Sequence, residues 1–325
     1  MTCHNTNLDH EALLHITGPD ALSFLQGQLS CDTRTLSPER ALPGVYCTVQ
    51  GRVICDFLLC QLADAHFGLR MRREIRGAAA ALLGKYIVFS KAKLDDKRED
   101  WQLLACWGAS AATTLHEIFG AAPQARYEAR SGPGFALLQL DEQGEQFECY
   151  LDAMTRPELL AQLQAGTQPG PTASWQALQI ASGVARIEAA TSGEFIPQVL
   201  NYDITGHISF NKGCYTGQEV VARMHYKGKP KRRLYPATIA SGGSALPASG
   251  EPLYLAGTER PAGHLINCAE PAGDLLVALV TSTREGIASG LRLAGATGAE
   301  VITGPPPYPL PELEPDKKPD NISGK

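Results

Sequence analysis

Apolar and polar residues alternate most regularly between positions 44 and 60. Val45, Cys47 and Val49 take every second place, a Gln50-Gly51 turn follows, and Val53, Cys55, Phe57 and Leu59 resume the alternation. A period of two sorts side chains onto the two faces of an extended chain, so this stretch predicts a β-hairpin. Upstream, residues 12–16 read as a short strand. The chain then turns at Gly18-Pro19-Asp20 into residues 21–29, where Leu22, Leu25 and Leu29 recur at helical spacing. Strand character returns at 67–71 and again at 85–90, on either side of an alanine-rich helix over 74–83. Residues 94–100 form a charged, solvated connector.

The next segment predicts strands at 101–107, 135–140 and 147–151, and helices at 111–119, with Leu115 and Ile118 inward, and at 157–165. That order suits a ferredoxin-like unit. Residues 166–174, rich in Gly, Pro, Thr and Gln, are a linker. A helix and strand over 175–187 should follow, then a short strand at Ile208 and Phe210. From 234 onward short apolar runs at 234–239, 252–255, 263–266, 275–280 and 290–293 are separated by Gly, Pro and Ser, which predicts a small C-terminal β-barrel. The proline-rich, charged end predicts a mobile tail over its last dozen residues. Strands and helices mix without regular β–α alternation and without a Gly-x-Gly-x-x-Gly turn, so the fold class is α+β rather than a dinucleotide-binding parallel sheet.

At 325 residues the chain is too long for one ordinary core and predicts two or three domains. Its 44% hydrophobic and 19% charged content is that of a soluble globular protein. A net charge of −5 with a pI near 5.9 argues against an overall electrostatic grip on nucleic acid or anionic membrane. The polar opening Met1-Thr2-Cys3-His4-Asn5 carries no secretion or import signal, so a cytoplasmic location is expected. The nine cysteines are dispersed, with no Cys-x-x-Cys and no zinc spacing; most should be reduced, packed thiols.

One cysteine stands apart. In Asn211-Lys212-Gly213-Cys214-Tyr215-Thr216-Gly217-Gln218-Glu219, Thr216 and Glu219 fit a capping box, so a helix should start with Thr216 as N-cap and bury Val220, Val221 and Met224. Cys214 then lies just ahead of a helix N-terminus, where unpaired N–H groups, the macrodipole and the nearby Lys212 favour a thiolate. The stretch is no P-loop, because Gln218-Glu219 replaces the Lys-Ser/Thr pair. A Cys-His hydrolase with His207 or His225 as base is conceivable, but nothing in the sequence fixes such a geometry. Between Lys212 and Arg233 seven Lys or Arg face the single acid Glu219, leaving about +6 in an acidic chain. Gln26, Gln28 and Asp32 sit where the first helix gives way to a loop, either facing a cleft or satisfying loop amides.

Residues 212–219, K-G-C-Y-T-G-Q-E, closely resemble the signature of the YgfZ family, folate-binding proteins of iron–sulfur cluster maintenance related to the T-protein of the glycine cleavage system. The likeness extends to residues 192–198, 206–210 and 221–223, and to Ile16-Thr17-Gly18, Leu25-Gln26-Gly27-Gln28 with Asp32, Lys85-Tyr86, Val88-Phe89-Ser90-Lys91 and Pro307-Tyr308. It spans almost the whole chain.

The resemblance implies a folate-binding body over 1–93 and 166–233 that carries the cysteine motif, a ferredoxin-like unit over 94–165, a β-barrel over 234–310 and a tail over 311–325, in a ring-like arrangement around a cavity. It implies tetrahydrofolate as cofactor, with Trp175 as a stacking wall, Cys214 as the reactive group, and Gln28, Asp32, Lys212 and Arg223 lining the site. The strip 227–233 with Arg223 would attract the folate's glutamate tail. The partners implied are iron–sulfur client enzymes or assembly proteins, with tRNA modification supported indirectly. Three positions depart from related patterns. Ala181 stands where T-proteins have a pterin-holding glutamate, Cys55-Asp56 where they have two aspartates, and Glu11 where some YgfZ proteins have a tryptophan. Two rivals remain: a true aminomethyltransferase, and a non-catalytic RNA-binding or scaffold protein using the basic strip.

Overall fold

The alternating stretches do become strands, and most are buried on both faces. In the computed structural model, which describes residues 2–240, 245–271 and 275–311, the chain begins β1 (His4–Asn7), β2 (Glu11–Thr17), α1 (Ala21–Gln28), β3 (Leu42–Cys47), β4 (Val53–Ala63), β5 (His66–Arg72), α2 (Arg73–Gly84) and β6 (Lys93–Asp95). It continues β7 (Trp101–Trp107), α3 (Ala111–Phe119), β8 (Ala129–Gly132), β9 (Phe135–Gln139), β10 (Gln146–Asp152), α4 (Pro157–Gly166), β11 (Gln168–Pro169), α5 (Thr172–Ala181) and α6 (Gln218–Lys227). The last elements are β12 (Arg232–Ala240), β13 (Pro252–Leu255), β14 (Pro261–Ala269), β15 (Leu275–Thr283), α7 (Arg284–Ser289), β16 (Leu291–Leu293) and β17 (Glu300–Thr303). The tail expected over the last dozen residues lies outside the described residues.

Two sheets pack face to face, each with helices on its outer side. The first has the order β3-β4-β5-β2-β6 and the second β11-β1-β7-β10-β9-β8. Alternation explains the layering: Leu14, Phe57, Leu59 and Leu69 face α1 and α2, whereas Leu13, Leu58 and Cys60 face inward against Leu103, Ala105 and Leu138 of the second sheet. Leu104, Cys106, Leu137 and Cys149 point the other way, toward α3 and α4. Within the second sheet β7-α3-β9-β10-α4-β11 has the ferredoxin-like order, with β1 inserted between β11 and β7 and β8 added at the edge. The predicted C-terminal barrel is present and closed, in the order β12-β15-β14-β13-β16-β17. It packs on the body through Leu234, Ile266, Ala269 and Leu279, which share a core with Ile180, Ala185 and Ile187. The Asn267 side chain adds a polar tie, accepting from Arg186 N and donating to Arg186 O, both at 2.8 Å. No helix among the described residues is long and apolar enough to cross a membrane.

Several local expectations are corrected. Residues 85–90 make no strand; a 3-10 turn spans Ile87–Phe89, and Val88 and Phe89 are exposed because no sheet edge is there to receive them. The connector contains β6, which pairs with β2, and Arg98 is ion-paired to Asp100 at 2.6 Å. The linker holds β11 and the start of α5. After α5, residues 184–188 form no strand, and side chains take the place of a ladder: Arg186 N donates to Asn267 and Ile187 N to Asp56. Ile208 and Phe210 also lie outside any strand.

Candidate functional site

The cysteine turn is held from behind. Lys212 is buried, and its Nζ donates to the carbonyls of Gln26, Leu29 and Cys31 at 2.7, 2.5 and 2.8 Å, tying the turn to the C-terminal end of α1. That ammonium is therefore committed to carbonyl oxygens. Burial lowers its pKa to about 8, against the raising effect of Cys31 and Asp32. The expected Thr216 cap is absent. Thr216 Oγ1 donates instead to Gln28 Oε1 at 3.1 Å, and the N-cap of α6 is Gly217 at φ 82, with no side-chain cap. A side chain at 217 would meet Thr48 O at 2.4 Å, so the turn sits directly on the β3–β4 hairpin. Val221 is buried as expected, whereas Val220 is 37% exposed.

With its backbone fixed, the turn presents Cys214 to solvent. All nine cysteines are described and free, and Cys214 is the exposed one; seven are buried and Cys268 is half-buried. Burial raises the thiols of Cys31, Cys47 and Cys60 to about 12. Gln28, Asp32 and Lys212 are gathered around this turn, but each has structural work. Asp32 takes a two-point pair from Arg34 at 2.8 and 2.7 Å, which holds its carboxyl down at about 2. His207 is tied to the Thr205 hydroxyl at 2.9 Å and His225 is stacked on Phe210, so among the described residues no hydrogen bond joins either ring to Cys214. Arg223 and Lys227 are exposed on α6 and Lys231 is exposed beyond it, but Arg233 is buried against Asp203 at 2.7 Å.

Trp175 lies elsewhere. It is 2% exposed, tilted against Trp107 at 5.9 Å, and lines a cavity of about 40 Å³ with Glu11, Arg72, Glu148 and Arg186. A second cavity of about 30 Å³, lined by Asp56, Arg70, Arg126 and His207, shares Gln179, Val184 and Arg186 with the first. Each has room for about two waters. The walls are a buried charge network. Arg70 Nε donates to Glu148 at 2.8 Å, and Tyr150 also donates to Glu148. Arg72 pairs with Glu11 at 2.9 Å and with Glu188 at 3.4 Å. Arg186 donates to Glu11 at 3.0 Å, and its Nε lies 2.6 Å from Asp56, a charge contact whose N–H is not aimed at that oxygen. Burial lifts the Asp56 carboxyl to about 7, opposed by the Ile187 N–H and by Arg70. Burial drives His207 down to about 3.

Sequence reasoning missed Arg70, Arg72, Arg126, Glu148, Arg186 and Asn267. A signal was present for two of them: Arg70 and Glu148 are charged residues set inside apolar strands, at positions whose side chains turn toward the opposite sheet. Ala181, at the place where T-proteins carry a pterin-holding glutamate, is exposed at the end of α5 and lines neither cavity.

Comparison with known proteins agrees with this architecture. Residues 4–129 match the family of the GCVT N-terminal domain. The crystal structure of glycine cleavage system aminomethyltransferase T from Bartonella henselae superposes with a TM-score of 0.73 at 17% identity, covering 94% of this chain and 85% of that one, a likeness of fold alone. The tRNA-modifying protein YgfZ of Klebsiella pneumoniae (strain 342) is 36% identical over 248 residues, 76% of this chain and 75% of that protein. The protein of the same description from Escherichia coli O157:H7 is 36% identical over 250 residues, with the same coverage. With more than a third of the positions identical across three quarters of both chains, a two-sheet body and a closed C-terminal barrel in common with the T-protein fold, this protein belongs to the YgfZ family.

Proposed function

We propose that the protein is a tetrahydrofolate-binding factor for the assembly or repair of iron–sulfur enzymes, acting through Cys214 and by that route supporting tRNA modification. The observation that carries the reading is the placement of one thiol. Seven cysteines are buried and Cys268 is half-buried in the barrel, and the ninth is exposed on a turn that Lys212 and Gly217 fix against α1 and the hairpin. A thiol presented on a fixed backbone meets a partner without first ordering itself, which lowers the entropic cost of attack or ligation.

The cavity beside Trp175 suits a flat, polar ring in chemistry though not yet in volume. Trp175 offers an indole wall, and Glu11, Glu148 and Asn267 offer acceptors for ring and amino N–H groups. Two cavities of about 30 and 40 Å³ do not hold a pterin unless Gln179, Val184 and Arg186, which line both, give way. Bound there, tetrahydrofolate would supply one-carbon carrier chemistry. The aminomethyltransferase reading gains nothing here, because the single Asp56 is committed to Ile187 N and Arg186.

The test is Cys214→Ser. The exposed site tolerates the change, so the fold should persist, while the fast phase of thiol alkylation disappears and an iron–sulfur client enzyme loses activity in cells carrying the variant as sole copy. Full client activity in those cells would overturn the reading.

A further inference from the structure

The cavity that Trp175 does not reach contains an unbalanced cation. Three guanidinium groups line it, those of Arg70, Arg126 and Arg186. Arg70 is neutralised by Glu148, and Arg186 by Glu11 and Asp56. Arg126 has no acidic partner among the described residues, and its Nε is buried without a hydrogen bond. His207, also in the wall, is kept neutral by burial. A buried donor left unpaired is costly, so Arg126, half exposed and held by Tyr127, keeps at Nε a donor that an acceptor oxygen entering the cavity would satisfy.

The backbone around Arg126 is built to hold it there. Tyr127 adopts φ 63, uncommon for a tyrosine. Its N–H donates to Gln139 O at 2.8 Å, and its carbonyl accepts from Ala41 N at 2.9 Å, which clamps the residue between β9 and the start of the hairpin. The guanidinium of Arg126 lies 4.8 Å over the Tyr127 ring. Stacking fixes the plane of the fork, and a fixed fork matches a carboxylate by two parallel hydrogen bonds.

We propose that Arg126 is the carboxylate anchor for the benzoylglutamate end of a pteroylglutamate ligand whose ring occupies the Trp175 cavity. The proposal rests on the folate reading above. Its geometric support is that the two cavities meet at Gln179, Val184 and Arg186, so that one elongated ligand with a flat polar ring and an anionic end spans both. Arg223, Lys227 and Lys231 line neither cavity, which leaves them to act on later, solvent-exposed glutamates.

The experiment is calorimetric titration of the wild type, Arg126→Gln and Arg126→Lys with three probes: tetrahydrofolate, 4-aminobenzoyl-L-glutamate and 6-methyltetrahydropterin. A charge-assisted bond of this kind makes Arg126→Gln weaken the two glutamate-bearing probes about tenfold or more, leaving the pterin unchanged. Arg126→Lys, which keeps the charge and loses the fork, should fall between. If the wild type binds tetrahydrofolate and Arg126→Gln keeps that affinity, the anchor is wrong and the folate reading stands. If 4-aminobenzoyl-L-glutamate binds through Arg126 while tetrahydrofolate does not bind, the carboxylate site stands and the folate reading falls. Binding of neither overturns both.

Discussion

The cysteine turn and the charged cavity are opposite solutions to the placing of reactive groups. At the turn, polar groups from nearby elements are used up behind the backbone: Lys212 on three carbonyls, Thr216 on Gln28, Asp32 on Arg34. The thiol itself is left free. In the cavity the functional-looking groups are the ones that pair with each other, through Arg70 to Glu148, Arg72 to Glu11 and Arg186 to both Glu11 and Asp56. A ligand reaching the turn finds a prepared surface, whereas a ligand entering the cavity must exchange its own hydrogen bonds for ones already made. The first site depends on exposure and the second on desolvated charge, where removing one partner strands another.

That contrast can be broken by mutation, and the largest effect should come from the cavity. Arg186→Met removes the cation that faces Glu11 and Asp56 and also lies at the barrel contact through Asn267. Urea unfolding should show a loss of about 3–5 kcal/mol, the cost of stranding a buried charge. A loss below about 1 kcal/mol would mean that the network is not desolvated in solution.

A second test sharpens the same point with pH. His207 is 3% exposed and is held neutral, with a folded pKa near 3 against an ordinary 6.5. As pH falls the unfolded chain takes up this proton first, so the stability His207 contributes is full above 6.5 and is lost as pH drops toward 3. Between pH 7 and 5 the loss should be about 2 kcal/mol, and it should vanish in His207→Asn. Asp56, whose pKa is raised to about 7, acts in the opposite direction over part of this window and is common to both proteins, so their difference isolates the histidine. Identical pH profiles for the two proteins would place a protonated His207 in the folded state.

The smallest effect belongs to the turn. Lys212→Met removes the donor to Gln26 O, Leu29 O and Cys31 O. Leu29 O and Cys31 O are buried acceptors that lose their donor, but the substitution also removes the desolvation cost of the buried ammonium, so the net cost should be about 1 kcal/mol. Cys214 should alkylate faster as the turn loosens. An unchanged rate would show that the turn is held by Gly217 and Tyr215 without the lysine.

The Cys214 turn was legible because its message is contiguous: a cysteine between glycines ahead of a helix needs no distant information. Even there, the cap was misread. Thr216 and Glu219 have the capping-box spacing, but the Thr216 hydroxyl bonds to Gln28, 188 positions away, and Gly217 takes over the N-cap at positive φ. Lys212 was read as a neighbour that would favour a thiolate, yet its charge points into the end of α1. The expected strand at 85–90 failed for a related reason, since an apolar run makes a strand when an edge is available to pair with it.

What the sequence determined by itself is the set of periodic elements, the barrel of short strands after residue 234 and the cysteine turn, because periodicity and turn chemistry act over a few residues. The tertiary structure decided which charges are buried and whom they face. Glu11, Arg70, Arg72, Glu148 and Arg186 come from β2, β5, β10 and the segment after α5, and although Arg70 and Glu148 stand out inside apolar strands, no single stretch names the partner of any of them. Their burial follows from two sheets and a barrel closing over them, and a charge becomes tolerable inside only where a partner from another element arrives with it.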